Sequence, residues 1–245
     1  MEGIIMKNLM ESYYQTINND MNHVITKEKT AIQQASQMIS NSIHHGHKVY
    51  FFGTGHSYIV GQEVFARAGG YADFIPILEN ELGMNHAFKS TLIERTTAYA
   101  DVLMGLYTFQ KDDVIVMTSN SGRNALLIEL GLRLKKIGVH IIGITALEAS
   151  KDSTSRHESG LRLFEIADVV LDNRSVYGDA SISHSKEIKT GPTSTIMSCF
   201  IAQLIVSDFV ENEVQTGQDV PVFRSSNIDG GDAYNERLFA KYKRS

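Results

Sequence analysis

Five short runs of apolar residues constrain this chain most strongly. They are KVYFFG at 48–53, FIPIL at 74–78, DVIVMT at 113–118, VHIIGIT at 139–145 and DVVLD at 168–172. The apolar residues are continuous rather than alternating, which is typical of strands buried on both faces of a parallel sheet. The runs therefore predict five parallel strands.

Segments with the apolar spacing of helices separate these runs. We predict them at 57–69, 84–108, 122–136, 147–159 and 192–213. Strands that alternate with helices need right-handed crossovers, which cover both faces of the sheet. We predict an α/β fold with a doubly wound, five-stranded parallel sheet in the flavodoxin-like order 2-1-3-4-5.

The segments on either side of the sheet are predicted from the same spacing. Apolar stripes over 1–47 predict an N-terminal helical hairpin, and the polar tail at 214–245 is expected to hold a short helix at about 232–242. We expect one domain over residues 1–245, with its α/β core at 48–213.

Composition narrows the classes of function. The formal net charge of −5 argues against a nucleic-acid partner, which needs a basic face. The single cysteine, Cys199, lies in an apolar stretch and is predicted to be a buried core residue. No apolar run approaches the roughly 18 residues of a membrane span, and residues 1–14 lack the basic segment followed by an apolar core that is typical of a signal peptide. We expect a cytoplasmic protein without a membrane partner.

Two of the predicted strands end in turns of small residues. The first strand runs into GTGHS at 53–57, and the third runs into SNSGRN at 119–124. In the strand order 2-1-3-4-5, strands 1 and 3 are neighbours, and ligands bind outside the carboxyl ends of such strands. Both turns are therefore expected to face one site.

The residue types in these turns suit an anion. The first N–H groups of a helix lack partners and lie at the positive end of its dipole, so a phosphate can satisfy them. Glycine allows close approach of the backbone, while hydroxyl, amide and guanidinium groups add donors. The predicted phosphate-binding residues are Gly55, His56, Ser57, Ser119, Asn120, Ser121, Gly122, Arg123 and Asn124.

Helix caps and nucleotide-binding loops fit these turns less well than a phosphate site does. Serine and asparagine also cap helices, but one cap needs a single such residue. A Walker loop would need Gly-Lys-Ser/Thr, which the chain lacks. A dinucleotide fingerprint would need a third glycine where Tyr58 stands, although Glu79 is placed where such a site has its acidic ribose ligand. The dinucleotide site stays open as an alternative.

The turn motifs resemble those of the sugar isomerase (SIS) domain family. SNSGRN resembles the family's S-x-S-G-x-[ST] phosphate loop, with Asn124 in place of the last Ser or Thr, and VYFFGTGHS resembles its first strand and turn. A subgroup of stand-alone members described as phosphosugar isomerases has motifs like LDN (171–173), GDA (178–180), GPTST (191–195), RAGG (67–70) and NIDGGDAYN (227–235).

This resemblance implies a phosphorylated sugar as ligand and no cofactor. Family members are isomerases, a lyase acting on N-acetylmuramate 6-phosphate, or regulators that only sense the sugar. They are commonly dimers or tetramers, so a homodimer or homotetramer is expected. Regulators of the family carry an N-terminal DNA-binding domain, and residues 1–47 show no helix-turn-helix signal.

Aldose–ketose isomerisation needs a base that reaches two neighbouring carbons. Family members use a glutamate between the second and third strands, which points to Glu94, with Glu79 and Glu81 as alternatives. A histidine suits opening of the sugar ring. His184 is the second catalytic candidate, and His56 is the candidate inside the first turn.

A related zinc-dependent group of isomerases carries His and Glu one turn apart on the helix after the first turn. Those places hold Glu63 and Arg67 here, and arginine does not bind zinc, so no metal is expected. Three hypotheses remain: a phosphosugar isomerase, a lyase on an amino-sugar phosphate, and a sensor without catalytic activity.

Overall fold

Five parallel strands form the sheet in the order that the sequence predicts. The computed structural model describes residues 8–242. Its strands are β1 (Val49–Gly53), β2 (Phe74–Pro76), β3 (Val114–Thr118), β4 (His140–Thr145) and β5 (Val169–Asp172). The order is β2-β1-β3-β4-β5, and every neighbouring pair is parallel. The predicted doubly wound sheet is confirmed.

Helices flank the sheet and precede it. They are α1 (Leu9–Lys27), α2 (Lys29–His44), α3 (Ile59–Val64), α4 (Ala87–Ile93), α5 (Tyr99–Leu106), α6 (Ala125–Lys136), α7 (Leu147–Lys151), α8 (Leu163–Ile166), α9 (Ser194–Gln215) and α10 (Gly231–Tyr242). A small antiparallel hairpin joins β6 (Ile182–Ser183) to β7 (Lys189–Thr190). The first two helices form the predicted N-terminal hairpin, whose first seven residues lie outside the described part of the chain.

Two hydrophobic layers sandwich the sheet because successive strand residues point to opposite faces. Phe51 and Val116 lie on the face covered by α1, α2, α3 and α9. Tyr50 and Ile115 lie on the other face, under α5, α6 and α8. Burial on both faces explains why the strands read as continuous apolar runs.

Helix α9 belongs to the first of these layers. By length and composition alone it could cross a membrane. Its side chains Met197, Ile201, Ile205 and Phe209 are buried against the sheet and the neighbouring helices. Cys199 is only partly buried, at the margin of this layer rather than in its centre. The packing of α9 is typical of the central helix of an α/β domain.

Three predicted helices are divided or end early in the structure. The segment expected at 84–108 is split into α4 and α5, and the one at 57–69 ends at Val64, before Ala66 adopts a positive φ of 48°. The segment expected at 147–159 ends at Lys151. There the Arg162 side chain donates hydrogen bonds to the carbonyls of Lys151 and Ser153, which turns the chain into a loop.

The C-terminal tail packs back on the edge of the sheet. The backbone of Phe223 pairs with Gly69 and Gly70 at 2.9 Å each, and its ring is buried beside Ala72. Gly231, where α10 begins, has no room for a side chain, because a Cβ would lie 2.0 Å from a backbone oxygen. The motifs at 67–70 and 227–235 therefore serve to dock the tail.

Candidate functional site

The loop between β3 and α6 has a fixed backbone. Its helix begins at Ala125, three residues later than the sequence predicts, because residues 119–124 form a separate turn. Ser119 Oγ accepts a hydrogen bond from the Gly122 N–H at 3.1 Å. Gly122 has φ +60°, and a Cβ there would lie 2.9 Å from Ser150 Oγ. The turn therefore requires glycine at this position.

Neighbouring elements hold the carbonyl groups of this loop. The Asn120 carbonyl accepts from Thr145 Oγ1 at 3.1 Å and from the Ala146 N–H at 3.0 Å. The Ser121 carbonyl accepts from Ser150 Oγ at 2.8 Å. The loop is thus attached to β4 and α7 through its acceptors.

Some backbone N–H groups of the same loop, unlike the carbonyl groups of Asn120 and Ser121, are not bonded to neighbouring elements of the described chain. Within the described residues, the backbone N–H groups of Ser121, Arg123 and Asn124 donate no hydrogen bond. They lie at the N-terminus of the 12-residue helix α6, where the helix dipole is positive. Such an arrangement of free amides can hold an anion.

A buried asparagine connects the loop to the end of the sheet. Asn173 is fully buried, and its Nδ2 donates to Asn120 Oδ1 at 3.1 Å and to Ser198 Oγ at 3.0 Å. Its Oδ1 accepts from the Ser175 N–H at 3.0 Å. The LDN motif therefore positions the loop at 119–124 from β5.

The GDA and GPTST motifs meet at the start of α9. The Asp179 carboxylate accepts from the N–H groups of Thr193 and Ser194, at 3.1 and 2.9 Å, and from Ser194 Oγ at 2.5 Å. A carboxylate at a helix N-terminus is stabilised by the dipole and satisfies its free amides. This helix end is therefore occupied by the chain itself.

The turn after β1 lies beside the loop at 119–124. Gly53 and Thr118 are register partners at the carboxyl ends of β1 and β3. Gly55 has φ +59° and donates its N–H to the Leu82 carbonyl at 2.8 Å. His56 is exposed and Ser57 half-buried in the following 3-10 turn, Gly55–Tyr58. The two turns are adjacent, as their sequence positions predict.

Glu94 lies between the two turns. Its Oε2 accepts from Thr54 Oγ1 at 3.0 Å, within the turn after β1. Its backbone carbonyl accepts from the Leu126 N–H at 3.2 Å, at the start of α6 and directly after the loop at 119–124. The side chain is half-buried. Glu94 is thus placed within reach of a molecule bound across both turns.

The two alternative carboxylates have other contacts. Glu79 accepts from Tyr107 Oη at 2.8 Å, and burial together with this contact raises the pKa of Tyr107. Glu81 is half-buried and forms an ion pair with the exposed Lys89 at 3.2 Å. A backbone hydrogen bond and then Lys89 lower the pKa of Glu81. Neither of their hydrogen bonds is with the residues of either turn.

The histidine candidates are scattered. His184 is exposed on the β6–β7 hairpin, where its Nε2 bonds to Thr190 Oγ1 at 2.8 Å, and no described contact joins it to the loop at 119–124. A histidine outside the candidates, His86, accepts from the Lys89 N–H and caps α4. His56 alone lies in one of the two turns.

The helix after the first turn has no metal ligands in place. Glu63 is paired with Arg67 and also accepts from Gln203 Nε2 at 3.1 Å. Among residues 8–242, no group of three or more His, Cys, Asp or Glu side chains is arranged to hold a metal ion.

A small cavity lies against the loop at 119–124. It has a volume of about 210 Å³ and is lined by Asn120, Ser121 and Arg123 together with Arg156 and Tyr177. Sequence reasoning missed Arg156, because the segment containing it was predicted to be helical. The structure shows a loop there, whose Arg156 N–H donates to the Arg123 carbonyl at 2.9 Å.

Comparisons with known sequences found a matching family model and relatives that cover nearly the whole chain. A family model described as the SIS domain matches residues 12–146. The UPF0309 protein of Oceanobacillus iheyensis is 40% identical over 237 residues, covering 96% of each chain.

Solved structures share the fold. The phosphoheptose isomerase from Francisella tularensis superposes with a TM-score of 0.55 and 13% identity, covering 84% of this chain and 100% of that one. The Vibrio vulnificus NanR protein complexed with ManNAc-6P has a TM-score of 0.55 and 11% identity, covering 98% of this chain and 71% of that one. At such low identity, these likenesses are evidence of a common fold alone.

Proposed function

The chain belongs to the SIS domain family, and from this membership we propose that it binds a phosphorylated sugar. The phosphate lies on the loop at 119–124, and the sugar extends towards the turn after β1. The ManNAc-6P bound to the NanR neighbour and the isomerase activity named for the Francisella neighbour support this class of ligand.

This proposal rests on a difference between the carbonyl groups and the N–H groups of the loop at 119–124. The carbonyl groups of Asn120 and Ser121 are used by the protein, whereas the N–H groups of Ser121, Arg123 and Asn124 have no partner within the described residues. A phosphate supplies only acceptors, so it matches what the loop offers.

We further propose that the reaction is aldose–ketose isomerisation with Glu94 as the general base. The base must take a proton from a carbon next to the carbonyl and return it one carbon away. The Glu94 carboxylate is held by Thr54 in the turn after β1, so we place it beside the sugar carbons rather than beside the phosphate. His56, exposed in the first turn, is the candidate for opening the ring.

The apolar surface near this site supports a homo-oligomer. Met84, Phe88 and Leu92 are 43%, 70% and 55% exposed on and before α4, the helix that leads into Glu94. Exposed apolar patches of this kind mark association surfaces. Light scattering should show a dimer or tetramer, and a monomer at every concentration would contradict this part of the proposal.

Screening of the purified protein against sugar phosphates in D2O tests the function. A ligand that binds the native state raises the melting temperature. For an isomerase, NMR should then show solvent deuterium entering at the carbon next to the carbonyl, together with the isomeric sugar. Release of a second product would instead indicate the lyase, and binding without any exchange would indicate the sensor.

A further inference from the structure

We propose that Arg156 is a second guanidinium ligand of the bound phosphate, presented by Asn124, and that it makes the site selective for dianionic phosphate monoesters. This inference rests on the proposed function, because it assigns a further residue to the same phosphate site. It concerns a side chain on the loop between α7 and α8, at 152–162, rather than on the phosphate loop itself.

The loop at 152–162 is anchored firmly enough to position a side chain. Arg162 Nη1 donates to the carbonyls of Ser150, Lys151 and Ser153 at 3.4, 2.9 and 3.0 Å. His157 is buried, and its Nε2 bonds to Glu129 Oε2, on α6, at 2.8 Å. The backbone on both sides of Arg156 is therefore fixed to α6 and α7.

Asn124 fixes the direction of the guanidinium. Arg156 Nη1 donates to Asn124 Oδ1 at 2.8 Å, and Asn124 is buried. Arginine can only donate, so the amide oxygen must face Arg156 and the amide NH2 must face away from it. Within the described residues, that NH2 has no protein partner, so Asn124 remains a donor to a ligand.

Arg156 keeps most of its donors free. Its Nε and Nη2 make no hydrogen bond within the described residues, and it forms no ion pair there. The side chain lines the cavity of about 210 Å³ beside the loop. A guanidinium that is oriented but unpaired is suited to bidentate binding of an oxyanion.

Positive charge accumulates around the same cavity. Arg123 lines it as well, and its Nη2 donates to Thr154 Oγ1 at 3.1 Å, whereas its buried Nε has no hydrogen-bond partner. Partial burial, and then the charges of Arg123 and Arg95, lower the pKa of Arg156. A ligand with two negative charges relieves this repulsion better than a ligand with one.

The hydrogen bond between Asn124 and Arg156 also accounts for the asparagine at position 124, where the family pattern has Ser or Thr. A Ser or Thr there would add one short hydroxyl to the site, but it would not reach the guanidinium in the same way. With Asn124, the oxygen orients Arg156 and the NH2 remains for the ligand. Asn124 thus supplies a neutral amide donor itself and also orients the charged donor, Arg156.

Binding of methyl phosphate and dimethyl phosphate tests this inference. Above the second pKa of a phosphate monoester, about 6, the first is a dianion while the second carries one charge. Affinities are measured by isothermal titration for the wild type, Arg156→Gln and the control Lys136→Gln. The control removes the same charge from the far end of α6. The glutamine can still donate to Asn124, so the fold should be kept.

We expect Arg156→Gln to bind methyl phosphate about tenfold more weakly, with little change for dimethyl phosphate. The control should behave as the wild type. An unchanged preference for methyl phosphate in Arg156→Gln would overturn the inference while leaving the proposed function in place. Failure of the wild type to bind methyl phosphate would overturn both.

Arg156→Lys tests the same inference if Arg156→Gln does not fold. Arg156→Lys keeps the charge but lacks the planar guanidinium, whose parallel N–H groups can bind the phosphate while another N–H bonds to Asn124. It should lose part of the preference for the dianion. Wild-type affinity for both ligands in Arg156→Lys would contradict the bidentate role.

Discussion

Asn173 Nδ2 lies 3.1 Å from Asn120 Oδ1, and this bond ties the end of β5 to the phosphate loop. Because Asn173 is fully buried and also bonds Ser198 and Ser175, its amide is satisfied entirely by the protein. The position of the loop therefore depends on a residue more than 50 positions away in the sequence.

Asn173→Leu should destabilise the protein and weaken phosphate binding together. The leucine leaves the buried Ser198 and Ser175 groups and the half-buried Asn120 amide oxygen without their partner, at a cost of about 1–3 kcal/mol. Thermal unfolding and methyl phosphate titration measure the two effects. Lost stability with full affinity would show that the loop keeps its geometry without Asn173.

Gly122→Ala should lower both stability and phosphate affinity because of the backbone conformation at this position. The residue has φ +60°, which costs a side-chain-bearing residue about 1–2 kcal/mol, and the new Cβ would lie 2.9 Å from Ser150 Oγ. We expect a melting temperature lower by about 2–8 °C and a loss of phosphate affinity. Gly217→Ala, which also has a positive φ but open space around it and lies after the C-terminal end of α9, is the matched control, and it should lower stability without affecting affinity.

Glu94→Gln should separate binding from turnover. The amide oxygen can still accept from Thr54 Oγ1, so sugar phosphate affinity should stay near that of the wild type. Loss of the base should lower kcat by about 10²- to 10⁴-fold, measured with the isomerised sugar that the screen identifies. Glu81→Gln, on the ion pair with Lys89, serves as the control. Wild-type turnover in Glu94→Gln would end the assignment of the base.

Cys199 should react slowly in the native protein. Partial burial, and then the charge of Glu63, raise the pKa of its thiol to about 11. A raised thiol pKa favours the neutral form, so only about 0.1% is thiolate at pH 8, and the thiolate is the form that reacts. Alkylation by iodoacetamide should be slow until denaturant is added. Rapid modification without denaturant would contradict the raised pKa.

The fold followed from local patterns in the sequence. Each buried strand is a continuous apolar run, and glycine-containing turns end β1 and β3, so the sheet order and the meeting of the turns could be predicted. The positions of the helix ends could not. Helix α7 ends at Lys151, whose carbonyl accepts a hydrogen bond from the side chain of Arg162, eleven residues later. The spacing of apolar residues does not indicate such a contact.

The candidate site was predictable only in part. The phosphate loop was visible because its small residues are contiguous, and Glu94 was found through a family resemblance. Arg156 was missed because its approach to Asn124 depends on the loop fold of its neighbours. Asp179 likewise showed only as a motif, and its role as the cap of α9 needed the structure.

Backbone amide shifts in a ¹⁵N–¹H NMR titration with methyl phosphate test the central claim most directly. We predict large, saturable downfield shifts of the Ser121, Arg123 and Asn124 amides, because these N–H groups gain an anionic acceptor. The amides of Thr193 and Ser194, already bonded to Asp179, should hardly move. Shifts confined to other parts of the chain, or none at saturating ligand, would contradict the assignment of the loop as a phosphate site.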